Sequence, residues 1–330
     1  MDPYPLISII IPVRPGASAK TAIDSIRKAD YPLERIETIL EEGLNPSRQR
    51  NQGIKKASGE ILFFLDDDSE ITPGLFKETV KTYQAYPDAI GVGGPAVLYG
   101  NTNLQKGVIA VLTSYLGVYK ISARYAPAGQ TRYTDENELI SCNLSLKREI
   151  FRKNNGFNDK LYPNEENELI QSLIKQGYRF IYNPDCQILR QADNEIEAFL
   201  RRIFNYGRGR MEQLFLRPSK TSFFRLLPLG FLIYLSGLLF IPNPYLYLPF
   251  FGYLILIAVV SACASKKIAF GDNSMRFSVA LYTSLHHKKQ LKIIPLLIAL
   301  FLATHILYGL GEVYGIYTAL KHKRNVLLRH

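Results

Sequence analysis

Short apolar runs alternate with polar, helix-length segments in the first part of this chain, and long apolar stretches dominate the second. Leu6–Ile11 is an apolar run of strand length. Ser18–Ala29 follows with Ala22, Ile23 and Ile26 on one helical face. Ile36–Leu40 reads as a second strand, Ser47–Ala57 as a helix, Ile61–Leu65 as a third strand and Pro73–Ala85 as another helix. Alternation of this kind predicts an α/β domain with a mainly parallel, doubly wound sheet. Beyond Asp193 the pattern changes. Ile196, Phe199, Leu200, Ile203 and Phe204 mark one face of a helix with arginines elsewhere, which either lies at a membrane surface or packs on a core. From Leu226 to Ser265 there are 40 residues without a charge. A span needs roughly 20 apolar residues, so the run predicts two transmembrane helices. Their break falls at Ile241–Tyr245, where two prolines stand. Ile293–Leu320 predicts a third, interrupted only by His305 and Glu312. Residues 274–289, with Phe277, Leu281 and Leu285 in one row, read as a second surface helix.

Charge sharpens the division. The net charge of +11 is unevenly placed: residues 1–200 hold 23 Lys and Arg against 26 Asp and Glu, and residues 201–330 hold 17 against 3. A basic half can signal nucleic acid, but here the basic half is also the apolar half, so no nucleic-acid partner is expected. Arg201, Arg202, Arg208, Arg210, Arg217, Lys220 and Arg225 precede the first predicted span. Lys266, Lys267, Arg276, Lys288, Lys289 and Lys292 follow the second, and the turn between them has no charge. The positive-inside rule then puts the N-terminal domain in the cytoplasm, as a multi-pass protein of the cell membrane. Three full spans would put Lys321, Lys323, Arg324 and Arg329 outside, unless the Gly-rich end around Gly309, Gly311 and Gly315 is a re-entrant or interfacial element. Met1–Leu6 has no basic region, so no signal peptide is expected. Cys142, Cys186 and Cys263 show no pairing or metal spacing and suit a reducing compartment.

The candidate chemistry centres on Gly59–Asp68, where the third strand runs straight into Asp66, Asp67 and Asp68. Carboxylates at the carboxyl edge of a buried sheet stand where open α/β folds bind ligands. Close like charges need an offset, and a divalent cation held there can in turn hold a diphosphate. An acidic turn leading into a helix is the plainer reading. Around the triplet stand Ile7–Gly16 (ISIIIPVRPG), Asn45–Glu60 with its Arg50-Asn51-Gln52-Gly53, Ser141–Arg148, Gly156-Phe157-Asn158-Asp159, and Asn164–Leu169 (NEENEL). In this order and spacing the set, over about residues 6–186, resembles family 2 glycosyltransferases with the GT-A fold.

That resemblance implies a nucleotide-diphosphate sugar donor, with a UDP-sugar favoured, and Mn²⁺ or Mg²⁺. Asp66 and Asp68 would be the metal pair, with Asp66 and Asp67 also toward the donor. Pro12, Val13 and Arg14 would line the nucleotide, Glu42 or its neighbour Glu41 would read the base, and Arg50 and Asn51 would face the nucleotide. Glu166 stands at the general-base position, where relatives use aspartate, with Glu165 supporting the site and Asn143 near a sugar. A carboxylate can take the proton with either side-chain length. Arg190 stands where many relatives keep a histidine by the metal. Phe204–Arg210 (FNYGRGR) reads as a mobile basic loop in which Arg208 and Arg210 grip phosphates of a lipid acceptor or of the leaving diphosphate, or simply as positive-inside charge. With His305–Gly315 it resembles enzymes that extend polyprenyl-pyrophosphate-linked sugars in exopolysaccharide assembly. His305 and Glu312 share a helix face, as functional groups or a structural pair, and Gly311 and Gly315 suit helix packing.

The expected organisation is a GT-A catalytic domain over 1–192, an amphipathic helix and basic loop over 193–222, and a transmembrane region over 223–320. The expected spans are near 225–241, 245–265 and 293–318, ahead of a basic tail, 321–330. The expected activity is inverting transfer of a sugar to a lipid acceptor. A processive synthase would carry Gln-x-x-Arg-Trp, and the chain has no tryptophan. A non-catalytic scaffold of the same fold is the remaining alternative.

Overall fold

The computed structural model describes residues 2–216, 218, 226–241, 243–270 and 292–327, with backbone only for 266–270 and 322–327. The surface helix expected at 274–289 lies outside the described residues, as do Arg217, Lys220 and Arg225.

The chain divides into two compact units: residues 1–99 with 120–191, and residues 100–119 with 192–330. The first unit begins β1 (Ile7–Val13), α1 (Lys20–Ile26), β2 (Ile36–Glu42), α2 (Pro46–Lys56), β3 (Ile61–Phe64), β4 (Glu70–Ile71), α3 (Leu75–Ala85), β5 (Ala89–Gly93) and β6 (Ala96–Tyr99). The second unit takes the next two helices, α4 (Asn103–Leu112) and α5 (Tyr115–Val118). The first resumes with β7 (Arg132–Thr134), β8 (Leu144–Lys147), α6 (Glu165–Lys175), β9 (Arg179–Tyr182) and β10 (Ile188–Gln191). The second unit ends with α7 (Ile196–Leu216), α8 (Leu227–Phe240), α9 (Tyr247–Phe270) and α10 (Ile294–Leu327).

Seven strands of the first unit form one sheet in the order β2-β1-β3-β8-β5-β9-β7. β2, β1, β3, β5 and β9 run one way, and β8 and β7 run against them. This is a mixed α/β fold around a mostly parallel sheet, as expected. β1 is buried along its whole length, as a strand covered on both faces should be. The core gathers Ile10, Leu62, Phe64, Leu144, Leu146 and Phe180 from one face of these strands, with Ile170 and Leu173 of α6 in the same cluster. A second, three-stranded sheet, β4-β10-β6, was not legible in the sequence.

The helical unit departs from expectation in three ways. First, residues 100–119 group with it rather than with the sheet. Helix α4 opens with a capping box between Thr102 and Gln105, and Gln105 donates to the Ala192 carbonyl at 3.2 Å. Gly107 has no Cβ to hold off Leu300 of α10, so α4 packs directly on that helix. Second, the apolar row of α7 is partly buried, with Phe199 and Ile203 fully covered and α7 packed along α10, while Ile196 is exposed. Third, among the described residues two stretches, Pro244–Ser265 and Ile294–Lys321, are long and apolar enough to cross a membrane. The first expected span, near 225–241, is α8, which has 14 residues, about 21 Å of helix against a hydrocarbon core of about 30 Å. The Gly-rich end is uninterrupted helix through Gly309, Gly311 and Gly315.

Candidate active site

The parallel strands set the stage. The register pairs Pro12 with Glu41 and Val13 with Glu42, so both segments end together at the carboxyl edge of β1 and β2. Gln49 on α2 fastens this edge, with its amide donating to the Val13 carbonyl at 2.9 Å and to the Glu41 carbonyl. Asn45 caps α2 by accepting from the Arg48 amide at 3.1 Å, with Pro46 in the first helical turn. Helix α2 thereby delivers Arg50, buried, toward the end of β3.

Arg50 joins two acidic groups. Its Nη1 donates to Glu165 Oε1 at 2.7 Å and its Nη2 to Asp66 Oδ1 at 3.1 Å, with Phe157 under the guanidinium at 5.6 Å. Asp66 is held from its other side as well: Arg190 Nη1 donates to Oδ2 at 3.1 Å. Arg190 then reaches Asp68 Oδ2 with Nη2 at 3.0 Å and Nε at 3.1 Å. Acids and arginines alternate in one chain: Glu165, Arg50, Asp66, Arg190, Asp68. Burial, with Asp68 and Asp66 alongside, raises the pKa of Asp67.

Glu165 and Glu166 open α6, where acids suit the positive end of the helix dipole. Asn164 before them takes a left-handed backbone (φ 95°) and makes no side-chain cap. Its Oδ1 instead accepts from Asn167 Nδ2 at 2.6 Å. Burial, reinforced by the neighbouring Glu166 charge and opposed by Arg50, pushes Glu165 up to about 7. Its Oε2 is buried with no hydrogen-bond partner. Glu166 faces a second arginine, with Arg124 Nη1 at 3.4 Å from its Oε1. Arg124 is itself fixed by the carbonyls of Asn137 (2.9 Å) and Glu136 and by Asn167 Oδ1.

The family follows from the stretch that builds this edge. Residues 8–154 match the family model described as Glycosyl transferase family 2. They form a family 2 glycosyltransferase domain. The match takes in Arg50 and the Asp66–Asp68 triplet and ends before Glu165 and Glu166.

Among curated proteins, the chain is 22% identical over 242 residues to a Methanococcus voltae dolichyl N-acetyl-alpha-D-glucosaminyl phosphate 3-beta-D-2,3-diacetamido-2,3-dideoxy-beta-D-glucuronosyltransferase. That alignment covers 72% of this chain and 73% of the relative. It is 26% identical over 235 residues to an O-antigen biosynthesis protein of Myxococcus xanthus, covering 59% of this chain and 18% of that protein. It is 24% identical over 187 residues to a glucosyl-dolichyl phosphate glucuronosyltransferase of Haloferax volcanii, covering 53% and 58%. A solved mannosyltransferase from Pyrobaculum calidifontis, in complex with GDP-Man and Mn²⁺, aligns with a TM-score of 0.49 at 14% identity, covering 95% of this chain and 89% of that one.

Within the glycosyltransferase domain, the expected residues separate into those that gather and those that do not. Pro12, Val13, Glu41, Glu42, Asp66, Asp67 and Asp68 stand at strand ends, Arg50 and Glu165 join the acid–arginine chain, and Glu166 stands beside Glu165 on α6, paired to Arg124. Arg14 and Glu42 are exposed, whereas Glu41 is buried and paired to Lys56 at 2.7 Å. Two asparagines do other work. Asn51 donates to the Phe157 carbonyl at 2.7 Å and accepts from the Phe157 amide at 2.8 Å, so it pins the Gly156 turn instead of facing a nucleotide. Asn143 donates to the carbonyls of Pro95 (3.1 Å) and Cys186 (2.8 Å), bracing backbone instead of standing open to a sugar.

In the helical unit, Phe204–Arg210 is helix, not a mobile loop, and Gly207 and Gly209 lie inside it. Arg210 is buried and donates to Gln213 at 3.0 Å, and Arg208 lies 3.8 Å from Glu212. His305 bonds the Tyr253 hydroxyl at 2.6 Å and the Leu116 carbonyl at 2.9 Å, so it ties α10 to α9 and α5 rather than to Glu312. Sequence reasoning missed Arg124. One arginine in an unpatterned stretch, Lys120–Pro127, gives no signal until the fold brings it to Glu166.

Proposed function

We propose that this chain is a membrane-anchored, inverting glycosyltransferase that moves one sugar from a nucleoside diphosphate sugar, with a UDP-sugar favoured, to a polyprenyl-phosphate or polyprenyl-pyrophosphate-linked acceptor. The observation that carries the reading is the alternating chain Glu165–Arg50–Asp66–Arg190–Asp68, built at the strand ends of a family 2 domain. Two of the curated relatives are named for transfer to dolichyl-phosphate-linked sugars, which supports a lipid-linked acceptor.

In this reading Glu166 takes the proton of the acceptor hydroxyl as its oxygen attacks the anomeric carbon. The bond from that carbon to the diphosphate breaks on the opposite side, and the nucleoside diphosphate leaves with the bonding pair. Arg124 holds Glu166 in place. Glu165, fixed by Arg50, keeps the first turn of α6 in register with Asp66. Pro12, Val13, Arg14 and Glu42 line the nucleotide side. Asp66 and Asp68 offer hard carboxylate oxygens, and Mg²⁺ or Mn²⁺ is commonly held by one or two carboxylates with water and phosphate completing the shell, so the donor set fits such an ion. Among the described residues no group of three His, Cys, Asp or Glu side chains gathers for a metal, so the remaining ligands would be phosphate and water. When bound, the ion would neutralise charge on the departing diphosphate.

Anchoring falls to the helical unit. Leu239 and Phe240 on α8 are 81% and 82% exposed, and Leu248, Phe251 and Ile255 continue the open apolar surface on α9. Such a surface suits lipid. Basic residues before α8 and after α9, with an uncharged turn between them, support a cytoplasmic approach for this pair. Arg208, less buried than Arg210, is proposed to meet the acceptor's phosphate.

The test incubates membranes containing the protein with labelled UDP-, GDP- and dTDP-sugars and endogenous lipid. Label entering the organic phase with one donor, and not with membranes lacking the protein, is the expected result. Nucleotide binding with no transfer to any lipid fraction would refute the lipid-directed reading.

A further inference from the structure

Arg190 has a role that the family match does not assign. It stands in β10, in the smaller sheet of the glycosyltransferase unit, and its guanidinium lies between the two carboxylates of the aspartate triplet. Nη1 reaches Asp66 Oδ2 at 3.1 Å, and Nη2 and Nε reach Asp68 Oδ2 at 3.0 and 3.1 Å. Nη1 also lies 3.8 Å from the Cys142 sulfur. The position that the charges of Asp66 and Asp68 reserve for a cation is taken by a side chain.

The two carboxylates are not equally dependent on it. Asp66 is held independently through its other oxygen by Arg50, itself buried and anchored to Glu165. Asp68 is the more exposed of the pair, with 55% of its side chain open, and Arg190 itself is 28% open. Arg190 can therefore turn toward an incoming anion and leave Asp66 paired, while Asp68 is released. A planar guanidinium with several N–H donors matches two phosphate oxygens at once.

We propose that Arg190 is the resident cation of the donor site: it keeps Asp66 and Asp68 assembled without a divalent ion and receives the donor's diphosphate. Nucleoside diphosphate binding then persists when divalent ions are removed, and Asp68, freed by that turn, is the carboxylate at which an added ion strengthens it. This rests on the donor class proposed above.

The experiment titrates UDP, GDP and dTDP onto the purified full-length protein in detergent, by calorimetry, once in EDTA and once in MnCl₂. The nucleotide that binds in MnCl₂ is expected to bind in EDTA with an affinity within about tenfold. Losing charge-assisted hydrogen bonds, Arg190→Gln should weaken binding in EDTA by roughly 10- to 100-fold and recover most of it in MnCl₂. Arg190→Lys, a point charge without the fork, should fall between the two. Binding of the parent only in MnCl₂ would overturn the inference and leave the proposed function standing, as would EDTA binding unchanged in Arg190→Gln. Binding of no nucleotide in either condition would overturn both. Should Arg190→Gln fail to fold, the parent's binding in EDTA decides alone.

Discussion

The two units bury their polar groups by opposite means. In the glycosyltransferase unit, charged side chains go inside and are matched: Arg50 to Glu165 and Asp66, Arg124 to Glu166. In the helical unit, side chains are removed so that backbones can meet. A Cβ on Gly207 would collide with the Tyr308 carbonyl, one on Gly311 with the Phe204 carbonyl, and one on Gly315 would lie 2.6 Å from the Arg208 carbonyl. The first arrangement poises charge for chemistry and is costly when one partner goes. The second holds two helices together and is sensitive to volume.

The largest loss of stability is expected where a matched charge is stripped of its partner. Arg50→Ala leaves Glu165 buried with no cation, at a cost of about 3–5 kcal/mol in denaturant unfolding. A cost under about 1 kcal/mol would mean that the buried pairing contributes little. Next comes the helical unit: Gly311→Val should cost about 1–3 kcal/mol through overpacking, with nucleotide binding unchanged. If Gly311→Val is as stable as the parent, the close approach of α7 and α10 is not maintained in solution.

A pH series probes the matched charges with a smaller effect. Glu165 is raised from 4.5 to about 7, so it holds its proton more tightly folded than unfolded. Its contribution is complete below about 4.5 and is lost as pH rises through about 7. Between about pH 5 and about pH 7.5 the parent's melting temperature should therefore fall more than that of Glu165→Gln. Parallel curves would contradict the raised value. The smallest change belongs to Arg208→Ala, whose partly exposed pairing to Glu212 is worth about 0–1 kcal/mol. Its expected signature is a higher KM for the lipid acceptor at unchanged KM for the donor, and an unchanged acceptor KM would remove Arg208 from the acceptor site.

The same contrast decides what the sequence could disclose. β1 to β3 were legible because their apolar runs are local, and the aspartate triplet was legible because it follows β3 without a break. Arg50, Glu165 and Glu166 were found through ordered motifs. Arg124 was not, because its meaning lies in Glu166, Glu136 and Asn167, none of them near it in sequence. Asn51 and Asn143 show the reverse: an amide suits a ligand or a neighbouring backbone equally, and only the fold shows Phe157, Pro95 and Cys186 beside them. The glycines of Phe204–Arg210 suggested a loop by local propensity, and packing on α10 overrode it.

The most direct test of the account compares the parent with Glu166→Gln in two measurements on the same preparation, donor nucleotide binding and label transferred to lipid. Glu166 as the base predicts transfer lowered by about 10²- to 10⁴-fold with nucleotide affinity unchanged. Transfer by Glu166→Gln at the parent's rate would contradict the assignment of this site as the place where the acceptor is activated.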